Sequence, residues 1–139
     1  MSDYLLKSLI AVVFLGAALT SFFSMMALMG KGEPKGDPVR LRKLHRASGI
    51  AFLVLLVPLA ILGAGFLREL GEGLTVRSVF HFVLAAFLLA VVVLKVLVVR
   101  VYKSFMRYAT ALGMTIFVLT IVIFLITAGY FFLRGGALD

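Results

Sequence analysis

Two histidines, His45 and His81, are the residues of this sequence best suited to hold a cofactor inside an apolar protein. Cysteine is absent, which excludes disulfides, thiolate metal sites, Fe–S ligation and covalent c-type haem. The acidic residues lie in loops or near the termini, so no carboxylate is placed inside a membrane for proton or cation transport. An imidazole within an apolar segment is uncommon and indicates function by default. Both histidines are therefore candidate metal ligands.

The neighbours of each histidine leave room for a flat ring. On the helical period, a small residue shares each imidazole's face one turn away, Gly49 for His45 and Ala85 for His81. Such space suits haem b, and the nearby cations Arg46 and Lys95 are placed to pair with its propionates. Helix packing requires the same small residues, so the pattern fits both interpretations.

The spacing of the histidines excludes one haem held by both of them within one chain. A helical hairpin between them puts the imidazoles about 25 to 30 Å apart, whereas two axial nitrogens on one metal lie about 4 Å apart. His45 then needs a methionine at its own level, the same histidine of a second chain, or a ligand from a partner subunit. Methionines near that level are Met25, Met26, Met29, Met106 and Met114. Each of them also suits gap-filling in a core, and His81 has none at its level.

The composition is that of an integral membrane protein. Hydrophobic residues make up 63% of the chain and charged residues 14%, against about 45–50% and about 25% in an ordinary soluble domain. Four apolar runs are long enough to cross a bilayer, and we predict spans at residues 5–29, 44–68, 77–99 and 106–133. Short connections make successive spans antiparallel. The sequence thus predicts a single all-α domain over residues 1–139, an up-down four-helix bundle.

Positive charge sets the predicted orientation. The basic residues of the first and third connections are Lys31, Lys35, Arg40, Arg42, Lys43, Arg46, Arg100, Lys103 and Arg107. The opposite side carries only Lys7, Arg68, Arg77 and Arg134. This asymmetry predicts cytoplasmic first and third connections and both termini outside. Because the net charge of +8 falls between apolar runs, nucleic-acid binding is rejected, and Lys95 is expected to snorkel to the cytoplasmic side.

Local signals predict how two of the spans are built. Gly16, Thr20 and Ser24 recur every four residues on the first span, a seam of small residues that favours close helix packing. Asp37-Pro38 is a turn signal after which a helix restarts. Pro58 lies in the middle of the second span, where it removes a backbone hydrogen bond and predicts a kink.

A family resemblance rests on the segment LHRASG at residues 44–49, Pro58, His81 and the segment KVLVVR at residues 95–100. Together they resemble a small bacterial four-helix membrane family of unassigned function, similar in appearance to b561-type cytochromes. In such proteins a further histidine often follows the proline by one turn, and here Leu62 stands in that place. The resemblance implies haem b, electron transport and a bacterial inner-membrane location.

The segment HRASG is also similar to the opening of the cytochrome b anchor subunits of succinate dehydrogenase. In those anchors an arginine and an upstream serine line a quinone pocket; Arg46 matches the arginine, and Arg42 stands in place of the serine. Those anchors have three spans. The likeness implies a membrane partner of a redox complex.

The leading hypothesis is a small b-type cytochrome or cytochrome-like anchor subunit, not itself an enzyme. It would carry electrons between the quinone pool or a redox partner and a haem held by His45 or His81. A second hypothesis is a cofactor-free accessory subunit that docks through its small-residue seams in a larger membrane complex or with a second copy. A third is a quinone or lipid site around Arg42, Lys43 and Arg46.

Overall fold

The computed structural model describes residues 3–30, 32–33, 36–71 and 73–134, and every regular element in these ranges is helical. Helix α1 spans Asp3–Met29, α2 spans Pro38–Leu70 and α3 spans Val76–Arg100. The fourth span begins with a 3₁₀ helix at Lys103–Tyr108, continues as α4 at Ala109–Phe124, widens into a π-helix at Leu125–Gly129 and ends as α5 at Tyr130–Leu133. The predicted all-α class is confirmed. The loop cations Lys31 and Lys35 lie outside the described residues.

Within the described ranges, four helical segments are long and apolar enough to cross a membrane: Leu5–Met29, Pro38–Glu69, Val76–Arg100 and Lys103–Leu133. Large apolar side chains such as Val54, Ile61 and Phe80 are more than half exposed. A soluble protein would bury such a surface, whereas lipid accepts it. The chain is a multi-pass membrane protein, and its orientation stays a prediction.

Polar caps fix where the second and third helices begin. The Asp37 carboxylate accepts a hydrogen bond from the Val39 amide at 3.0 Å, which confirms the predicted restart after the first connection. The Thr75 hydroxyl accepts from the Ser78 amide at 3.2 Å and starts α3. Helix α2 continues unbroken through Pro58, and the kink there stays a prediction.

The contacts divide the chain into two units, Met1–Leu59 and Ala60–Asp139, with the boundary inside α2 directly after Pro58. In the first unit, which we call the N-terminal hairpin, α1 packs on residues 38–59 of α2. The Phe14 and Phe52 rings stack with centroids 4.3 Å apart, and Ser21 meets His45. Seven residues forward along α1 thus match seven residues backward along α2, so the two helices are antiparallel.

In the second unit, called here the C-terminal unit, α3 packs against the fourth span. The Arg77 guanidinium lies 4.3 Å from the centroid of the Tyr130 ring. Further along, the Lys95 Nζ lies 3.0 Å from the position that a Cβ on Gly113 would occupy. These pairs advance along α3 and retreat along the fourth span by nearly equal steps, so this pair of helices is antiparallel as predicted.

Candidate functional site

The imidazole of His45 is held by the main chain of the neighbouring helix. Its Nδ1 lies 2.8 Å from the Ser21 carbonyl oxygen and 3.2 Å from the Ser21 hydroxyl. A carbonyl oxygen only accepts hydrogen bonds, so Nδ1 carries the proton and donates it. In the neutral ring this leaves the lone pair on Nε2. The contact thus fixes both the tautomer and the orientation of the ring.

Serines surround this contact and occupy their hydroxyls on main-chain oxygens. Ser24 donates to the Ser21 carbonyl at 3.1 Å, and Ser48 donates to the Leu44 carbonyl at 2.8 Å. Both serines are buried, and their small side chains let the two helices approach closely. The predicted packing role of Ser24 is consistent with this burial. The Ser48 hydroxyl binds a different carbonyl from His45, whereas the Ser24 hydroxyl shares the Ser21 carbonyl with His45 Nδ1.

The other ring nitrogen of His45 is open. No described residue forms a hydrogen bond to Nε2, and this atom is not among the buried, unpartnered ones. A Cβ added to Gly49, one turn along the same face, would meet no described neighbour within 4 Å. Metal-ligating histidines usually donate their second ring N–H to a carbonyl or carboxylate, the arrangement seen at His45. The site offers one prepared nitrogen ligand with space beside it.

The predicted propionate partner Arg46 is exposed and directly follows His45 on α2. Consecutive helical residues point about 100° apart, so its side chain leaves the helix on a different face from the imidazole. An open groove of about 440 Å³ lies along this end of α2, lined by Arg40, Leu41, Lys43, Leu44 and Ala47. It is a basic and apolar surface rather than an enclosed pocket.

His81, in the C-terminal unit, is held differently. Its Nδ1 is buried and has no hydrogen-bond partner among the described residues. The ring packs edge to face on Phe82 at 5.6 Å, and Phe82 in turn lies 3.8 Å from the position of a Cβ on Gly63. A buried donor or acceptor without a partner costs about 1–3 kcal/mol, whichever tautomer the ring adopts. No described hydrogen bond therefore fixes the tautomer of His81 or orients its Nε2, in contrast to His45.

Three residues near the level of His81 have contacts of their own. Gly63 faces the Phe82 ring, the Tyr130 ring contacts the Arg77 guanidinium, and the Thr127 hydroxyl donates to the Ile123 carbonyl at 2.7 Å. Thr127 belongs to the π-helix, which the antiparallel register of the two helices places level with His81. No residue pattern predicts this widened turn.

Lys95 does not join His81 in one site. The two residues are separated by fourteen positions on an unbroken helix, about 21 Å at 1.5 Å per residue. The Lys95 ammonium lies against Gly113, in the second turn of α4, rather than extending past the end of α3. The ammonium thus contacts the facing helix, and its snorkelling to the cytoplasmic side stays a prediction.

Comparison with known proteins places the chain in a family. Residues 1–138 match the model of a family of unknown function, DUF6529. The chain belongs to the DUF6529 family. No curated protein and no solved structure matches it. Membership in DUF6529 agrees with the expected family of unassigned function, while the likenesses to b561-type cytochromes and to succinate dehydrogenase anchors stay predictions.

Two residues of this DUF6529 member were not predicted as site residues from the sequence. Ser21 accepts a hydrogen bond from His45, and Gly113 contacts the Lys95 ammonium. A signal for both exists in helix register. Ser21 lies eight residues before α1 ends, and His45 lies seven after α2 begins. Lys95 lies five before α3 ends, and Gly113 lies four after α4 begins. In each contact, the two residues lie at nearly equal distances from the connection between their helices.

Proposed function

We propose that this protein is a small membrane-embedded cytochrome-like subunit in which His45 is an axial ligand of haem b. The observation that supports this is the 2.8 Å hydrogen bond from His45 Nδ1 to the Ser21 carbonyl, which leaves Nε2 open. A carbonyl that accepts the other ring N–H orients a metal-binding histidine toward its metal and raises the basicity of the ligating nitrogen. Bound haem supplies reversible one-electron transfer.

The donor set favours a macrocycle over a bare metal ion. Among the described residues, no three His, Cys, Asp or Glu side chains come together. A structural metal ion usually takes about four protein ligands, whereas a porphyrin brings four nitrogens of its own and needs one or two from the protein. The open space beside Gly49 is where such a ring would lie.

The second axial ligand must lie on the side of the ring toward which Nε2 points, away from the Ser21 carbonyl on α1. Met25 is half-buried on the same face of α1 as Ser21, which is the Nδ1 side, and Met26 and Met29 are nearly half exposed. A methionine of α1, whose thioether would raise the reduction potential of haem, is therefore the weaker candidate. The alternative is the partner's His45 across a two-fold axis between two copies.

The proposed electron partners are the quinone pool or a redox subunit of a bacterial inner-membrane complex. The exposed cations of α2 near His45, Arg42 and Lys43, suit contact with an acidic partner or with anionic lipid. The protein then serves as an electron-carrying anchor and not as an enzyme by itself. His81, which lacks an acceptor for Nδ1, has no ligand role in this proposal.

One observation favours the second hypothesis, a cofactor-free accessory subunit. Gly16 is exposed on α1, and a Cβ there would meet no described neighbour within 4 Å. Thr20, one turn on, turns its hydroxyl to the Gly16 carbonyl at 2.8 Å. This small-residue face is open to a helix of another subunit, which is how small residues promote association in lipid.

The two hypotheses are separated by the visible spectrum of the protein purified from membranes. We expect a dithionite-reduced minus oxidised spectrum with a Soret band and a b-type pyridine haemochrome. His45→Gly should lose the band, and added imidazole should restore it by filling the vacated ligand position. His81→Gly is the matched control and should keep the band. A colourless wild-type protein contradicts the haem proposal and leaves the accessory subunit; loss of the band in His81→Gly alone contradicts the choice of ligand.

A further inference from the structure

Lys95 places a cation inside the third span, where charge is costly. Its side chain is half-buried in a helix that is otherwise apolar from Ser78 to Val99 except for His81. The ammonium lies 3.0 Å from where a Cβ of Gly113 would be, closer than side chains normally approach. Glycine at position 113 therefore leaves a notch in α4 that admits the ammonium.

No carboxylate of α3 or of the fourth span balances this charge. Residues 73–134 contain no Asp or Glu, and the described residues show no ion pair with Lys95. Removing an unpaired ammonium from water costs several kcal/mol even after relaxation. An anion supplied by another molecule would lower that cost.

The depth and surroundings of the notch indicate which molecule. Lys95 lies five residues from the end of α3, about 7.5 Å along the axis, so it lies beneath the helix end rather than at mid-membrane. Arg100, Lys103 and Arg107 are exposed at that end. Val99, one turn from Lys95 on α3, and Met114, the residue after Gly113, are apolar and 39% and 48% exposed. An anionic head with an apolar tail complements both parts of this surface.

We infer that the notch formed by Lys95 and Gly113 binds the phosphate of an anionic phospholipid whose acyl chain lies along α3 and the fourth span. The lipid supplies the missing negative charge, and the exposed cations at the helix ends draw it to the site. Inorganic phosphate, which is strongly hydrated, has no apolar part to hold it at this depth. The inference does not depend on haem.

The test is lipid binding to the full chain in detergent micelles, measured by native mass spectrometry with added phosphatidylglycerol. We expect Lys95→Met to weaken binding at least about tenfold, equivalent to about 1.4 kcal/mol. Lys103→Met, which removes an exposed cation at the same end, should weaken it by about fivefold or less. Gly113→Ala should also weaken it, because its Cβ displaces the ammonium. Lys95→Arg keeps the charge and controls for loss of fold, which circular dichroism monitors.

Two parallel arms identify the source of the anion. Phosphatidylcholine should bind the wild type no better than it binds Lys95→Met, because its head is neutral overall. Inorganic phosphate should leave both the melting temperature and the retained phosphatidylglycerol unchanged. Equal phosphatidylglycerol binding by wild type and a folded Lys95→Met overturns the inference, as does full competition by inorganic phosphate.

Discussion

The two histidines lie in antiparallel helix pairs of similar design, but their rings are held in opposite ways. In the N-terminal hairpin, His45 donates Nδ1–H to the Ser21 carbonyl and leaves Nε2 open. In the C-terminal unit, the Nδ1 of His81 is buried without a partner in the described residues. The difference lies in the facing helix, which offers His45 an acceptor for Nδ1–H, whereas the described residues offer none to the Nδ1 of His81.

Small residues on α1 explain why His45 finds its acceptor. A helix carbonyl already accepts from the amide four residues on, and at Ser21 the second lone pair is shared by the Ser24 hydroxyl and His45 Nδ1. Reaching that lone pair requires a close approach, which Ala18 and Ser24, both buried, permit at this level of the hairpin. His81 instead packs against Phe82, the next residue of its own helix, and its Nδ1 finds no acceptor among the described residues.

Removing the aromatic stack of the N-terminal hairpin should have the largest effect on the comparison. Phe52→Ala deletes a ring that is 6% exposed and stacked on Phe14, so the free energy of unfolding should fall by about 3 kcal/mol. The looser hairpin should also lose haem, because the Ser21 acceptor moves away from His45. Leu88→Ala, in the C-terminal unit, should destabilise similarly without changing haem content. Unfolding in mixed detergent micelles and the haem-to-protein ratio measure both.

If Phe52→Ala and Leu88→Ala reduce haem content equally, the fold as a whole and not the N-terminal hairpin supports the cofactor. The comparison would then carry no information about the two histidines.

Leucine substitutions at the two histidines should change stability in opposite directions. His81→Leu removes an unsatisfied buried nitrogen and should stabilise the haem-free protein by about 1 kcal/mol, the lower end of the cost of such a group. His45→Leu removes a satisfied hydrogen bond and should destabilise it by about 1 kcal/mol. Both are measured as midpoints of unfolding in the same micelles. Destabilisation by both substitutions would mean that His81 has a polar partner after all.

The sequence was sufficient for the helical class and for most helix boundaries. Long apolar runs have one stable state in lipid, because only a helix satisfies its own backbone. The turn signal at Asp37-Pro38 predicted where α2 begins, and the Asp37 cap is the physical reason. The antiparallel pairing inside each unit was also predictable, because a short connection between two long helices makes them antiparallel.

The site could be predicted only in part. His45 and Lys95 were identifiable by type, but Ser21 acts through a main-chain oxygen that any residue could supply, so its identity carried no signal. The π-helix at Leu125–Gly129 was missed because one extra residue in a helical turn leaves the apolar pattern nearly unchanged. Contacts that depend on backbone position or helix rotation are not encoded in residue type.

Filling the space beside His45 should affect the cofactor far more than the fold. A side chain at Gly49 meets no described neighbour within 4 Å, and Gly65 in the C-terminal unit is equally open. Gly49→Leu and Gly65→Leu should therefore each change the free energy of unfolding by less than about 1 kcal/mol, the range of helix propensity. Only Gly49→Leu should lower haem content. Equal haem content in the two variants would place the ring elsewhere.

The smallest effect is expected at Ser21, although this residue contacts His45 directly. Ser21→Ala removes the hydroxyl at 3.2 Å but keeps the carbonyl that accepts from Nδ1 at 2.8 Å. The free energy of unfolding should change by less than about 0.5 kcal/mol, as for substitutions that remove no essential interaction, and the haem spectrum should be retained. ¹⁵N NMR of the haem-free protein should still show the proton on Nδ1. A shift of that proton to Nε2 in Ser21→Ala would mean that the hydroxyl, and not the main chain, sets the tautomer. The contrast with His81 would then come from a single side chain on the facing helix and not from the approach of its backbone.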